Sequence, residues 1–301
     1  MTSADTVSLT GAGLGATIAR VGAQLLSLDT AAGQRLIWPG DPAIWPDHAL
    51  ILFPVIGPLP GGVLRHQGRE YQMPAHGFAR LSGFAVTQQS AAGCTFELRD
   101  SEATRASYPF AFRLQVSFEL ADGALVNMIS VTNPGAEPLP ADVGFHPGFN
   151  WPLTPGRAKR DYVVRFEKPE PAAIRRGVDD PILLRPERLP SPVAGRILRP
   201  RDDLFTDNAI VFDRLASRSV EFGAAGDLGV QVAFPDSPNL ALWMRPGATY
   251  LCIEPWHGYP AEVGFTGPFA DKPGIAQISP GETRRWRLRI TPQIFGPSAA
   301  A

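Results

Sequence analysis

Apolar and polar residues alternate with period two along much of this chain, and few runs keep the three-to-four spacing of an amphipathic helix. In Phe112 to Leu120, the residues Phe112, Leu114, Val116, Phe118 and Leu120 fall on one side and Arg113, Gln115, Ser117 and Glu119 on the other. Successive side chains of a strand point to opposite faces, so the pattern predicts a half-buried strand. Ala121-Asp122-Gly123 supplies a turn, and the apolar run Leu125 to Val131 returns, which predicts a hairpin. A second hairpin is predicted around Gly226-Asp227, between Val220 to Phe222 and Val230 to Phe234. Tyr162 to Phe166, Leu240 to Met244, Tyr250 to Ile253 and Trp286 to Ile290 read as further short strands. The prediction is an all-β chain, a large β-sandwich with few short helices, in a single domain over 1–301 with a frayed tail at 296–301. The Pro- and Arg-rich segment from Glu167 to Asp203 alternates poorly and is expected to be an excursion of irregular surface loops.

Composition agrees with many turns. The chain holds 30 glycines and 31 prolines in 301 residues, well above their usual combined share of about 12%. They are spread along the sequence, as turns between short strands require. Hydrophobic residues make up 44% and charged residues 19%, enough for a sizeable core. A formal charge of −1 argues against a nucleic-acid binder, which would carry a basic stripe. No block of Lys or Arg offers a membrane patch, and the longest apolar run, Ala49 to Ile56, is too short to span a bilayer. Met1 to Thr10 lacks the pattern of a signal peptide, so a cytoplasmic location is expected. Cys94 and Cys252 are too few for a disulfide framework and are expected as buried thiols.

Two motifs resemble sites without their context. Gly11-Ala12-Gly13-Leu14-Gly15-Ala16 fits a loose dinucleotide fingerprint, but neither a following helix nor repeated strand–helix units accompany it. A glycine-rich turn between strands is the expectation there. No metal is expected, because H-x-H, H-E-x-x-H and paired Cys/His spacings are absent, although remote ligands can converge in space.

The chemistry-bearing residues gather in three turn-flanked clusters: His76-Gly77-Phe78-Ala79-Arg80, Gly144-Phe145-His146-Pro147-Gly148-Phe149-Asn150-Trp151 and Ile253-Glu254-Pro255-Trp256-His257-Gly258. Glu254 is expected at the end of an inner strand that Pro255 stops, where burial raises a carboxyl pKa and makes a better base. His146, beside Pro147 and Gly148, is expected on irregular backbone lining a groove, with an imidazole that titrates near neutrality. Each of these residues also has a structural reading, Glu254 as the partner of an arginine and the histidines as satisfied loop or core residues. Phe78, Phe145, Trp151, Trp243 and Trp256 are rings that could stack on a pyranose, or simply be core.

With these segments in view, the sequence resembles the aldose 1-epimerase (mutarotase) family, within it the branch that includes hexose-6-phosphate epimerases. Gly22-Ala23-Gln24-Leu25, Leu36-Ile37-Trp38, Trp45 and Leu52-Phe53-Pro54-Val55-Ile56-Gly57 carry the resemblance first. His76-Gly77-Phe78-Ala79-Arg80, Gly144-Phe145-His146-Pro147, Leu204-Phe205, Asn208-Ala209-Ile210-Val211-Phe212 and Ile253-Glu254-Pro255-Trp256 continue it in matching order. The resemblance implies a large twisted β-sandwich, the galactose mutarotase-like supersandwich, and interconversion of aldose anomers without metal or organic cofactor. It implies Glu254 as base on the anomeric hydroxyl and His146 as acid at the ring oxygen. His76, Arg80, Asp207, Trp256 and Phe145 would bind the sugar, with Asn208 competing for the place of Asp207. Hydrogen-bond reach to two neighbouring sugar oxygens sets the expected Glu254–His146 separation at roughly 4–8 Å.

Family members present an arginine after Phe-Pro-x-x-Gly; here Gly57 is followed by Pro58-Leu59-Pro60, which favours a neutral aldose over a phosphorylated one. The alternatives are a hexose-6-phosphate 1-epimerase and a non-catalytic sugar-binding protein. A glycosidase would need a second flanking carboxylate, and Glu254 has none in these clusters. The expected partner is a small sugar substrate, with no nucleic acid or membrane, bound by a monomer or homodimer.

Overall fold

The computed structural model describes residues 5–178 and 182–297. The tail predicted to fray lies, from 298 onward, outside them. Two antiparallel sheets dominate. The larger has nine strands in the order Ile197–Leu198, Tyr162–Phe166, Ser219–Ala224, Leu228–Ala233, Thr283–Ile294, Ala124–Thr132, Arg113–Ala121, Gly93–Arg99 and Ala85–Gln89. The smaller has seven, in the order Leu183–Leu189, Ile174–Val178, Ile210–Phe212, Asn239–Trp243, Tyr250–His257, Val143–Asn150 and Ala49–Leu52. The chain folds as the twisted all-β sandwich of galactose mutarotase-like proteins. Its only α-helix among the described residues is the single turn Glu102–Arg105.

The alternation read in the sequence sets the burial. Arg113–Ala121 buries every second residue against the core and pairs with Ala124–Thr132 through the turn at Asp122 and Gly123, both at positive φ. Ser219–Ala224 and Leu228–Ala233 form the second predicted hairpin. The glycine-rich Gly11–Ala16 segment is the tight turn between Thr6–Gly11 and Leu14–Ala19, with Ala12 and Gly13 left-handed.

The Glu167–Asp203 segment corrects the expectation of irregular loops. It supplies Ile174–Val178 and Leu183–Leu189 to the edge of the seven-stranded sheet and Ile197–Leu198 to the edge of the nine-stranded one. Three of its charged residues, Glu170, Arg175 and Arg176, are buried, and each finds a partner. Arg175 donates to Glu262 at 2.8 Å, and Glu170 accepts the backbone N–H groups of Ala216 and Ser217.

The central strands of the smaller sheet, Val143–Asn150 and Tyr250–His257, are buried along nearly their whole length. One face of Val143–Asn150 meets the larger sheet across a narrow gap shared by Phe145, Leu125, Leu288 and Ile290, and Tyr250–His257 meets it where His257 packs on Trp286. The other face forms the floor of an open cleft.

Candidate active site

Strand register brings the first two candidates together. Val143–Asn150 pairs antiparallel with Tyr250–His257, matching Gly144 to Trp256 and Gly148 to Cys252. Counting inward from both pairs sets His146 opposite Glu254, and residues directly opposite hold their Cβ atoms about 4.5–5.5 Å apart. Pro147 and Pro255 fall in the stretch where this ladder opens, and each keeps a partner on its other neighbour, Ala49 and Leu240. Both strands therefore continue through their prolines. His146 sits in a strand rather than on irregular backbone, and Glu254 lies before the strand's end.

The His146 Nε2 and Glu254 Oε2 atoms are 3.2 Å apart, closer than the 4–8 Å expected, because opposite positions on paired strands bring the two side chains into direct contact. Glu254 is 2% exposed and His146 6%. Burial pushes the Glu254 carboxyl well above the ordinary carboxylate range. Burial, with His76 and Arg80 nearby, pushes the His146 imidazole well below its ordinary value. Loss of solvent thus disfavours charge on either partner, and one proton shared between them leaves the pair neutral.

Glycines make room for the rings around this pair. Gly144 and Gly148 lie two residues to either side of His146, on the same face of the strand. A Cβ on Gly144 would stand 2.6 Å from Cδ1 of Trp256, and one on Gly148 would stand 2.7 Å from Cζ3 of Trp45. Trp45 stacks on the His146 ring, with centroids 5.2 Å apart, and Trp243 meets it edge-on at 5.8 Å. His76 reaches the same ring at 5.7 Å from the opposite wall. Its Nδ1 accepts the N–H of Gly57, and burial, then Arg80, lowers its pKa to about 4.

These groups line a cleft of about 360 Å³, bordered also by Arg80, Asn208, Arg245 and Asp47. That volume lies at the low end of the roughly 300–1,000 Å³ of small-ligand sites. Asn208 rather than Asp207 borders it. Asp207 lines an adjoining hollow, 3.4 Å from Arg185 and half exposed. Asn208 takes the left-handed φ of 61° that asparagine tolerates, and Arg176 holds its carbonyl.

Strand parity places the other candidates. Phe145 neighbours His146 and so faces the inter-sheet core; it is not among the cleft residues. His257 likewise packs on Trp286 of the larger sheet. Trp256 shares the parity of Glu254 and lines the cleft, its Nε1 without a hydrogen-bond partner among the described residues. Phe78 packs with Phe53, Tyr108 and Phe112, and Trp151 is buried with its indole N–H on the Lys159 carbonyl. Trp45 entered the sequence reading only as a matching position, and Asp47 and Arg245 not at all. Those two lie in Pro-containing loops whose local sequence carries no site signal. His146, Cys252 and Glu254 also converge, with potential donor atoms within 4.8 Å of one another. This is a convergence that sequence spacing does not reveal.

A twisted β-sandwich with an imidazole–carboxyl pair on the floor of an aromatic cleft matches known folds closely. A galactose mutarotase related enzyme from Lactobacillus acidophilus superposes with a TM-score of 0.89 at 28% identity, covering 98% of this chain and 100% of that one. A galactose mutarotase-like protein from Lactobacillus casei gives 0.88 at 27% identity, covering 96% and 100%. Protein LacX of Lactococcus lactis is 30% identical over 280 residues, 90% of this chain and 94% of its own. The aldose 1-epimerase family pattern matches residues 5–291, and the chain belongs to that family.

Proposed function

We propose that this protein is an aldose 1-epimerase that interconverts the α and β anomers of an aldohexose by general acid–base ring opening. The observation that carries the reading is the buried Glu254–His146 contact on the cleft floor. The anomeric hydroxyl and the ring oxygen share one carbon, so the groups that exchange protons with them must be neighbours. Moving the shared proton from Glu254 to His146 converts the neutral pair into carboxylate and imidazolium without exchange with solvent. Glu254 then takes the proton of the anomeric hydroxyl while His146 gives its proton to the ring oxygen. The anomeric carbonyl forms as the ring C–O bond breaks. Rotation about the first carbon–carbon bond presents the other carbonyl face, and closure returns both protons. His76, Arg80, Asn208 and Trp256 are positioned to hold the sugar, and His76 donates to an oxygen that gains charge.

Polarimetry or anomer-resolved NMR of freshly dissolved α-D-glucose and α-D-galactose tests this reading. Acceleration that disappears in Glu254→Gln and in His146→Ala is expected. No acceleration with any aldose or aldose phosphate leaves a non-catalytic sugar-binding protein.

One observation favours a second reading of the substrate. Arg80 and Arg245 both border the cleft, and among the described residues neither guanidinium has a carboxylate partner. Two such groups suit a phosphorylated aldose, against the neutral sugar that the missing arginine after Gly57 suggests. A preference for glucose 6-phosphate that Arg245→Ala removes would decide for the phosphate.

No helix among the described residues is long and apolar enough to cross a membrane. We infer that the small sugar is the partner of a cytoplasmic enzyme, and native mass spectrometry distinguishes monomer from homodimer.

A further inference from the structure

Behind the cleft lies an ion pair sealed from solvent. The ammonium of Lys272 stands 3.0 Å from Oδ1 and 2.9 Å from Oδ2 of Asp142, and both side chains are 0% exposed. A buried ion pair of this kind roughly breaks even against apolar residues of the same volume, so stability alone does not account for it.

Its contacts lead to the site. Oδ2 of Asp142 accepts the N–H of Ile56 at 3.2 Å, and the Asp142 N–H donates to the carbonyl of Pro54 at 2.8 Å. The next residue, Gly57, donates its N–H to His76 Nδ1 at 3.2 Å, and its carbonyl accepts the backbone N–H of His76 at 2.8 Å. On the other side, Gly258, which follows the strand carrying Glu254, packs so closely on the Asp142 carboxylate that a Cβ has no room. One carboxylate therefore braces the Ile56–Gly57 loop against the end of the Glu254 strand.

We infer that Asp142, held by Lys272, is a positioning residue that fixes the tautomer and orientation of His76 through Ile56 and Gly57. A neutral imidazole that accepts at Nδ1 carries its proton on Nε2. Bracing Gly57 thus makes His76 a donor toward the cleft. Without the brace, Gly57 N–H loses its aim and the ring is free to place its proton on Nδ1. The inference rests on the epimerase reading for its effect on turnover, but the tautomer itself does not.

The test uses the full chain and two kinds of variant. Asp142→Asn keeps the side-chain shape, and the double variant Asp142→Leu with Lys272→Met removes both charges so that neither is left unpaired. Nitrogen-15 NMR of the histidine rings is expected to show a single Nε2–H tautomer for His76 in the wild type and tautomer averaging in the variants. Epimerase turnover should fall on the order of 10- to 100-fold, as for a misplacement of about 1 Å remote from the chemistry. In a His76→Ala background, Asp142→Asn should change turnover by less than about twofold, because contributions through one residue are not additive. An unchanged His76 tautomer in a folded variant, or losses that multiply in the His76→Ala background, overturns the inference. A wild-type protein without epimerase activity would sink the functional reading while the NMR arm still decides the tautomer.

Discussion

Gly144→Ala isolates the requirement for close approach beside His146. The backbone at Gly144 is outside the left-handed region, so alanine is conformationally acceptable and the methyl group is the perturbation. It would stand 2.6 Å from Cδ1 and 3.2 Å from Nε1 of Trp256, and 3.3 Å from Cδ1 of Leu52. Carbon atoms rest at about 3.5–4.0 Å, so the indole must retreat by roughly 1 Å. Trp256 is 2% exposed, which leaves it little space to do so. Overpacking of this kind costs about 1–3 kcal/mol. Reduced freedom of the unfolded chain offsets about 0.4–1 kcal/mol, for a net destabilisation of roughly 0.5–2 kcal/mol. Urea unfolding followed by circular dichroism should show a lower midpoint at unchanged slope. Because Trp256 also lines the cleft, kcat/KM for anomer conversion should fall about tenfold or more, as misplaced sites do. Gly83→Ala serves as control, since nothing lies within 4 Å of a Cβ there, and it should be neutral or slightly stabilising. Equal stability and activity in Gly144→Ala and wild type would refute the packing argument.

Three further outcomes follow from the charged and titrating groups. The active pair carries one proton. A second binds only below the lowered His146 value, and the first leaves only above the raised Glu254 value. The acid limb of the pH–rate profile should therefore fall below pH 6.5, and an acid limb centred above that value contradicts the assignment. For stability, His76 and His257 are both lowered from 6.5 to about 4. Their contribution is fully present above pH 6.5 and is lost as pH falls through 4, on the order of 2–3 kcal/mol each after allowance for partial exposure. Urea midpoints at pH 7, 5.5 and 4 should show the decline, and His257→Asn should flatten part of it. Finally, the Asp213 side chain is 3% exposed, accepts from both terminal nitrogens of Arg188 at 2.6 Å, and lies 3.8 Å from buried Arg175. Asp213→Ala removes the bidentate partner of Arg188 and leaves Arg175 to Glu262 alone, and should cost about 1–3 kcal/mol in urea unfolding; unchanged stability would contradict this.

The legible parts of the fold were those where one local rule decided the outcome. The Arg113–Thr132 hairpin follows from strict alternation and an Asp-Gly turn, and the Gly11–Ala16 turn from glycine where φ is positive. Misreadings arose where a tertiary partner cancelled a local rule. Arg175 and Glu170 entered the interior because remote groups satisfy them, so polarity alone made their segment look like surface loop. Pro147 and Pro255 looked like strand breakers, yet both sit where the ladder between their strands is open. Once those residues are strands, parity settles the rest: Phe145 and His257 cannot share a face with His146 and Glu254.

By itself the sequence determined the all-β class, the turns and the identities of the reactive side chains, because alternation and turn chemistry act over a few neighbouring residues. The Gly-x-His-x-Gly spacing that opens space around His146 was present in it as well. Only the tertiary structure decided that His146 stands opposite Glu254, that Asn208 borders the cleft while Asp207 does not, and that Asp142 braces the His76 loop. These depend on register between strands remote in sequence and on loops packed behind them. Such pairings are selected by burial of the whole core, which no local run of residues encodes.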